Sequence, residues 1–143
     1  LEQAQAVLED LEAQGGRASL IMLDLDHFKR INDVHGHQAG DLALREAARH
    51  LRATLREGDV IGRLGGEEFG VLLPGLNAGE ALAVARQLRR AVAASRPGGL
   101  RVTASFGLAD GTPRLDSLLA QADEYLYAAK EAGRDRIAWS GGL

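Results

Sequence analysis

"DVIGRLGGEEFGVLLP", Asp59 to Pro74, holds two strand-like segments, DVIGRL and EFGVLLP, on either side of Gly65-Gly66. A glycine pair between two such runs is a β-hairpin signal. Hairpin strands are antiparallel, so a purely parallel, doubly wound sheet is excluded. Around this hairpin the chain reads α, β, α, α, hairpin, α, β, α, β. That order predicts an α+β fold, a central and mostly antiparallel sheet with helices packed on its faces.

The flanking elements follow from spacing. Residues 1–14 place Ala4, Val7, Leu8 and Leu11 on one helical face. "RASLIMLDLD" (17–26) is an apolar run ending in alternating aspartates and reads as a buried strand. "HFKRIND" is a short helix closed by the glycine of "VHGH". A long helix runs from Gln38 to about Glu57, with Leu44, Ala48, Leu51 and Leu55 turned inward. "NAGEALAVARQLRRAVAAS" is a helix with Asn77 as N-cap. "LRVTASFGLAD" is a strand whose Thr103, Ser105 and Gly107 form one polar side. "RLDSLLAQADEYLYAAKEAG" is the last helix, burying Leu115, Leu118, Ala122 and Leu126 and stopping at Gly133. "RDRIAW" supplies a short closing strand. No repeat, low-complexity tract or second domain interrupts residues 1–143, which read as one domain.

Composition narrows the function classes. The 143 residues suffice for a single core, and 45% hydrophobic with 26% charged residues is ordinary for a globular protein. No apolar run approaches the roughly 20 residues of a membrane-spanning helix, and the acidic, amphipathic start is unlike a secretory signal. Without cysteine there is no disulfide, and any metal must take oxygen or histidine ligands. A net charge of −3 argues against a protein that coats nucleic acid. The chain opens on Leu1 rather than Met, so it is expected to be part of a longer protein.

The hairpin tip carries Glu67-Glu68, although a tight turn has no structural need for paired negative charge. Asp24 and Asp26 pose the same question, because positions i and i+2 of a strand share a face. Each pair alone fits a solvated turn or strand end. If the hairpin pairs beside the first strand, however, the carboxylates meet and repel one another unless a divalent cation sits among them. Oxygen ligands select a hard ion such as Mg²⁺, which accepts one or two carboxylates plus substrate phosphates. A metal held this way serves phosphoryl and nucleotidyl transfer. Phe28-Lys29, at the start of a helix, could grip a triphosphate. Asn32 and Asp41 could read a base edge, and a carboxylate suits the paired N–H donors of guanine. Lys130 and Arg134, four apart, could reach phosphate oxygens or simply complement a helix C-terminus.

With these residues in place, the sequence strongly resembles the GGDEF family of diguanylate cyclases. The name-giving signature stands as "GGEEF" (65–69), accompanied by "LDLDHFKRINDVHGHQAGD" (23–41), "TASFGLA" (103–109) and "ADEYLYAAKEAGRDRI" (122–137). The resemblance implies about five strands ringed by helices, a ferredoxin-like, palm-like fold. It implies condensation of two GTP molecules into cyclic di-GMP with release of two pyrophosphates. By the same resemblance Asp24, the Leu25 carbonyl and Glu67 bind Mg²⁺, with Mn²⁺ as an alternative ion and Glu68 as a further contributor. Glu67 also accepts the ribose 3′-hydroxyl proton, and Lys29 stabilises the transition state. Phe28 lies in the phosphate-gripping turn, Asn32 and Asp41 read guanine, and His37 touches substrate. Lys130 and Arg134 bind phosphate, while Gly65 and Gly66 let the backbone approach the nucleotide.

Assembly follows from the chemistry the resemblance implies. Each subunit binds one GTP, and each 3′-hydroxyl attacks the other molecule's α-phosphorus, so a two-fold homodimer is expected. "REGD" matches the family's RxxD inhibitory motif, in which Arg56 and Asp59 bind product. The alternative is a helix end with Arg56 on the dipole and Gly58 as the stop. "RQLRR" (86–90) is a solvated helix face or a secondary inhibitory contact. Family members usually open on a D-x-L-T-G-L-x-N-R stretch that this chain lacks. A fused N-terminal sensory or regulatory domain is expected, with a cytoplasmic location and no nucleic-acid polymer or membrane contact from this domain itself. The rival reading is a catalytically silent module that senses GTP or cyclic di-GMP, although every acidic and glycine position of the signature is intact. His27 receives no role, His35 and His50 are expected to be exposed or part-packed, Trp139 to cap the core edge, and one of Tyr125 and Tyr127 to pack.

Overall fold

The computed structural model describes residues 2–111 and 113–143. Strands β1 (Ala18–Leu25), β2 (Val60–Arg63), β3 (Glu68–Pro74), β4 (Ala104–Gly111) and β5 (Ile137–Ala138) form one sheet in the order β2-β3-β1-β4-β5. Neighbours pair antiparallel except β4 with β5, which are parallel. The expected mostly antiparallel sheet, flanked by helices and with the hairpin at one side, is what the chain forms.

All eight positions of β1 are buried, because both faces of the sheet are covered. On one face Ile21, Leu23 and Leu25 join a core built with α3 (His37–Thr54) and α4 (Ala78–Ser95). On the other, Leu20 and Met22 pack with α1 (Glu2–Ala13) and α5 (Leu115–Glu131) through Leu8, Leu118, Ala122 and Leu126. The short α2 (Phe28–His35) leads directly from the end of β1 into α3. Two close approaches fix these layers. A Cβ on Gly107 of β4 would collide with the Ala122 carbonyl oxygen and the Leu126 nitrogen, so α5 lies against bare backbone there. A Cβ on Gly40 would collide with the Asn32 side chain, which seats α2 on α3.

Boundaries moved where local geometry overrode periodicity. Helix α3 ends at Thr54 rather than near Glu57, because Leu55 is already extended at φ −82° and ψ 155°. Strand β4 starts at Ala104, after a 3₁₀ turn at Pro97–Gly99. Asn77 caps α4 as expected, accepting from the Glu80 N–H at 2.9 Å while the Glu80 carboxylate accepts from the Asn77 N–H at 3.0 Å. Trp139 is half-buried against the α3–α4 core, Tyr125 is half-buried and Tyr127 is exposed. His35 is exposed and His50 half-buried.

Candidate active site

The C-terminal end of β1 lies between the hairpin and the start of β4. Asp24 stands opposite Glu68 on β3 and Ser105 on β4. Directly opposed residues of an antiparallel pair point to one face, so Glu68 shares Asp24's side of the sheet, where α5 packs. The Leu25 N–H donates to the Glu67 carbonyl at 3.3 Å, which brings the hairpin tip against the strand end. Carboxylates from two distant segments are thus gathered, as the sequence implied.

Asp24 is buried, at 5% exposure, and Lys130 Nζ donates to its Oδ2. Burial pushes the Asp24 carboxyl above the usual carboxylate range; the Lys130 ammonium opposes this, and Glu67 and Glu68 add to the rise. A desolvated acid beside two others is stabilised by a neighbouring cation, and the Lys130 ammonium of α5 supplies one. Lys130, expected at phosphate, is therefore the partner of the expected metal ligand. Among the described residues, no three acidic or histidine side chains converge into a cation cage by themselves. Such a donor set, oxygen-only and incomplete, suits a hard divalent ion that completes its shell with water and phosphate.

The hairpin tip is held in a way the sequence reading missed. The Leu64 N–H donates to the Glu68 carbonyl at 2.9 Å, and Arg63 Nε donates to the carbonyl oxygens of Gly65 at 3.2 Å and Gly66 at 2.9 Å. Neither glycine adopts positive φ. A Cβ on Gly66 would meet nothing within 4 Å, and one on Gly65 only Glu68 Oε1 at 3.6 Å. Their backbone does not demand glycine; what glycine leaves there is open space beside the carboxylates. The arginine two residues ahead of the glycine pair was the available clue to the clamp.

Helix α2 begins after His27, which is left-handed at φ 56° and ψ 34°. Asn32 and the Phe28 ring both lie against Gly40, next in sequence to Asp41, so these expected nucleotide contacts gather where α2 meets α3. Asp41 lines a groove of about 510 Å³ with Leu44, Arg45, Arg52, Arg63 and Phe69, which joins it to the hairpin clamp. Lys29, His37 and Asp41 are exposed. Arg134 is exposed and left-handed, at φ 64°, in the turn after α5. It lines a cavity of about 460 Å³ that also takes in Asp26, His27 and Arg30.

Arg56 and Asp59 lie outside the helix, which corrects the helix-end reading of "REGD". They close a turn on themselves: the Arg56 N–H donates to Asp59 Oδ2 at 2.9 Å and its guanidinium to Oδ1 at 2.7 Å. Asp59's side chain is fully covered, whereas half of the Arg56 side chain faces solvent. Hydrogen bonding to Asp59 raises the Arg56 pKa further, so the guanidinium stays charged. Arg56 also reaches the Pro74 carbonyl at 3.3 Å, at the opposite end of β3 from Glu68. Seven strand residues put roughly 20 Å between this turn and the carboxylates.

Residues 1–136 match the family model described as "Diguanylate cyclase, GGDEF domain". The diguanylate cyclase DgcP of Pseudomonas aeruginosa is 44% identical over 129 residues, covering 86% of this chain and 19% of the relative. The diguanylate cyclase SiaD of Pseudomonas aeruginosa, solved with its activator SiaC, superposes with a TM-score of 0.91 at 38% identity, over 98% of this chain and 56% of that one. The GGDEF domain of DgcB from Caulobacter crescentus, solved with c-di-GMP, superposes with a TM-score of 0.90 at 29% identity, over 99% and 88% of the two chains. The chain spans about a fifth to about a third of the length of the curated relatives it matches.

Proposed function

The chain belongs to the GGDEF family of diguanylate cyclases, and on that premise we propose that it is the catalytic domain of one, condensing two GTP into cyclic di-GMP. The observation that carries this reading is the buried Asp24, its carboxyl pushed up by burial and by Glu67 and Glu68, beside a glycine pair with open space. An Mg²⁺ ion would be held by Asp24, Glu67 and the Leu25 carbonyl, with Glu68 contributing; Mn²⁺ suits the same oxygens. Bound there, the ion neutralises and orients the phosphates.

The chain's own residues do the rest. Asn32 and Asp41 hold guanine, Asp41 accepting from its paired N–H donors, and His37 contacts the substrate. Phe28 and the first turn of α2 grip the phosphates together with Lys130 and Arg134. Binding therefore requires Lys130 to exchange its carboxylate partner for phosphate oxygens. Glu67 takes the 3′-hydroxyl proton. The freed oxygen bonds to the α-phosphorus of the other GTP, the α–β anhydride breaks, and pyrophosphate leaves, while Lys29 stabilises the charge that develops. Two such steps close the ring. Because each attack crosses between nucleotides, two domains must face each other about a two-fold axis.

Arg56 and Asp59, on the far side of the hairpin, form the product-binding turn of this reading, suited to phosphate and to a guanine Hoogsteen edge. Residues 1–143 act as one catalytic domain under a fused regulatory region, in the cytoplasm where GTP is supplied. No helix among the described residues is long and apolar enough to cross a membrane. The test is chromatography of the purified protein incubated with GTP and Mg²⁺. Glu67→Gln should lower cyclic di-GMP formation by about 10²-fold or more, the usual range for a lost general base. An undiminished rate in that variant refutes the assignment.

A further inference from the structure

Asp26 is the second aspartate of "LDLD" and has no part in the chemistry described above. Its side chain is nonetheless among the few buried charged groups of the chain, at 6% exposure. Thr103 Oγ1 donates to its Oδ2 at 2.7 Å, Ser105 Oγ to its Oδ1 at 2.6 Å, and the Asp135 N–H to its Oδ2 at 3.0 Å. The Asp26 N–H itself donates to the Thr103 carbonyl at 2.9 Å. The carboxylate thus accepts three hydrogen bonds from neutral donors, two hydroxyls at the entry to β4 and one amide from the turn after α5.

That turn holds Arg134. Both Arg134 and Asp135 are left-handed, at φ 64° and 47°, a conformation that costs a non-glycine residue free energy and persists only where surrounding contacts impose it. The contacts that impose it are on view. Asp26 takes the Asp135 amide; Arg89 Nε donates to the Asp135 carbonyl and to its Oδ1, each at 3.0 Å; Arg136 Nε donates to the Arg134 carbonyl at 2.9 Å. Of these, only Asp26 ties the turn to the strand that carries Asp24.

We infer that Asp26 is a positioning residue, not a metal ligand: it clamps the left-handed Arg134-Asp135 turn to the end of β1 and so aims the Arg134 guanidinium at the phosphates. This rests on the phosphate role proposed for Arg134. One strand then sets both sides of the substrate, Asp24 directly and Arg134 through Asp26. The hydroxyl pair on Thr103 and Ser105 holds the carboxylate hydrogen-bonded and turned toward β4.

The test measures GTP affinity in Mg²⁺ by calorimetry, with a slowly reacting α-thio analogue, for Asp26→Ala, Asp26→Asn, Arg134→Ala and the Asp26→Ala/Arg134→Ala double variant. Losing a hydrogen bond to a charged group corresponds to about a tenfold effect or more, so Asp26→Ala should weaken binding by about that factor. Asn keeps an acceptor for the Asp135 amide and should recover most of the loss. The double variant should bind no worse than Arg134→Ala alone. Mn²⁺ affinity, followed by electron paramagnetic resonance, should be unchanged by Asp26→Ala. A multiplicative double variant, or a weakened Mn²⁺ affinity, overturns the positioning role.

Amide exchange at Asp135, read by NMR, separates the two layers of the inference and needs no nucleotide. It should accelerate in Asp26→Ala. Unchanged exchange overturns the clamp while leaving the phosphate role of Arg134 standing. Unchanged GTP affinity in Arg134→Ala overturns that role, and with it the aim attributed to Asp26. If Asp26→Ala does not fold, Arg89→Ala releases the same turn from its other side, and it should show the same coupling to Arg134.

Discussion

Replacing Lys130 with Met removes the ammonium from Asp24 and keeps most of the side-chain volume. Removing one partner of a buried ion pair costs about 3–5 kcal/mol. The Lys130 side chain is 32% exposed, however, so solvent screens part of the pair, and a loss of about 2 kcal/mol is expected. At about 4 °C per kcal/mol for a chain of this length, melting falls by about 8 °C. The pH dependence follows from the direction of the Asp24 shift. Its folded pKa lies above the usual 3.8, so stability attached to its protonated form is present in full below 3.8 and is lost as pH rises through the folded value. Lys130 limits that loss; without it, burial, Glu67 and Glu68 push the carboxyl up unopposed. The two proteins should therefore converge in acid, and the gap should open as pH rises and stand in full at neutrality. Urea unfolding across that range measures it. Added Mg²⁺ should stabilise the variant more than the parent, because it meets the same carboxylate. A variant as stable as the parent at neutral pH, or a gap indifferent to acid, refutes the claim that the ammonium stabilises the buried Asp24 carboxylate.

Gly66→Ala should leave thermal stability within about 0.5 kcal/mol, since neither φ nor space demands glycine there, yet weaken GTP binding in calorimetry. Gly107→Ala should do the reverse of harmless: its Cβ meets α5 backbone, so a loss of about 3 kcal/mol or more is expected in urea unfolding. Arg56→Ala should relieve inhibition by added cyclic di-GMP without lowering the uninhibited rate, because the turn lies at the far end of β3 from the carboxylates. Initial rates against product concentration decide it.

Most of the architecture was legible because it rests on local signals. The apolar run of β1, the glycine pair between β2 and β3, and Asn77 ahead of α4 each act within a few residues, and each appears where it was expected. What escaped was set by contacts that periodicity does not announce, most of them with partners far along the chain. The end of α3 moved because Arg56 and Asp59 close a turn that no periodicity encodes. Gly107 read as part of a polar strand side, whereas its role is to let the α5 backbone approach. The parallel pairing of β5 with β4 depends on a return path that a two-residue strand cannot announce.

The same limit governed the site, and Asp24 and Asp26 show why. In sequence they are equivalent: two aspartates, two positions apart, on one face of one strand. Their fates diverge through residues 77 to 109 positions later in the chain, Lys130 for the first and Thr103, Ser105 and Asp135 for the second. An ammonium can be exchanged for a metal or a phosphate counter-charge, so Asp24 is left with a valence that substrate and ion can use. Two hydroxyls and an amide satisfy a carboxylate without offering anything to exchange, so Asp26 is fixed in place. On the proposed roles, the difference between a ligand and a clamp therefore resides in the donors, cationic for one and neutral for the other, and only the folded chain brings those donors to the two acids.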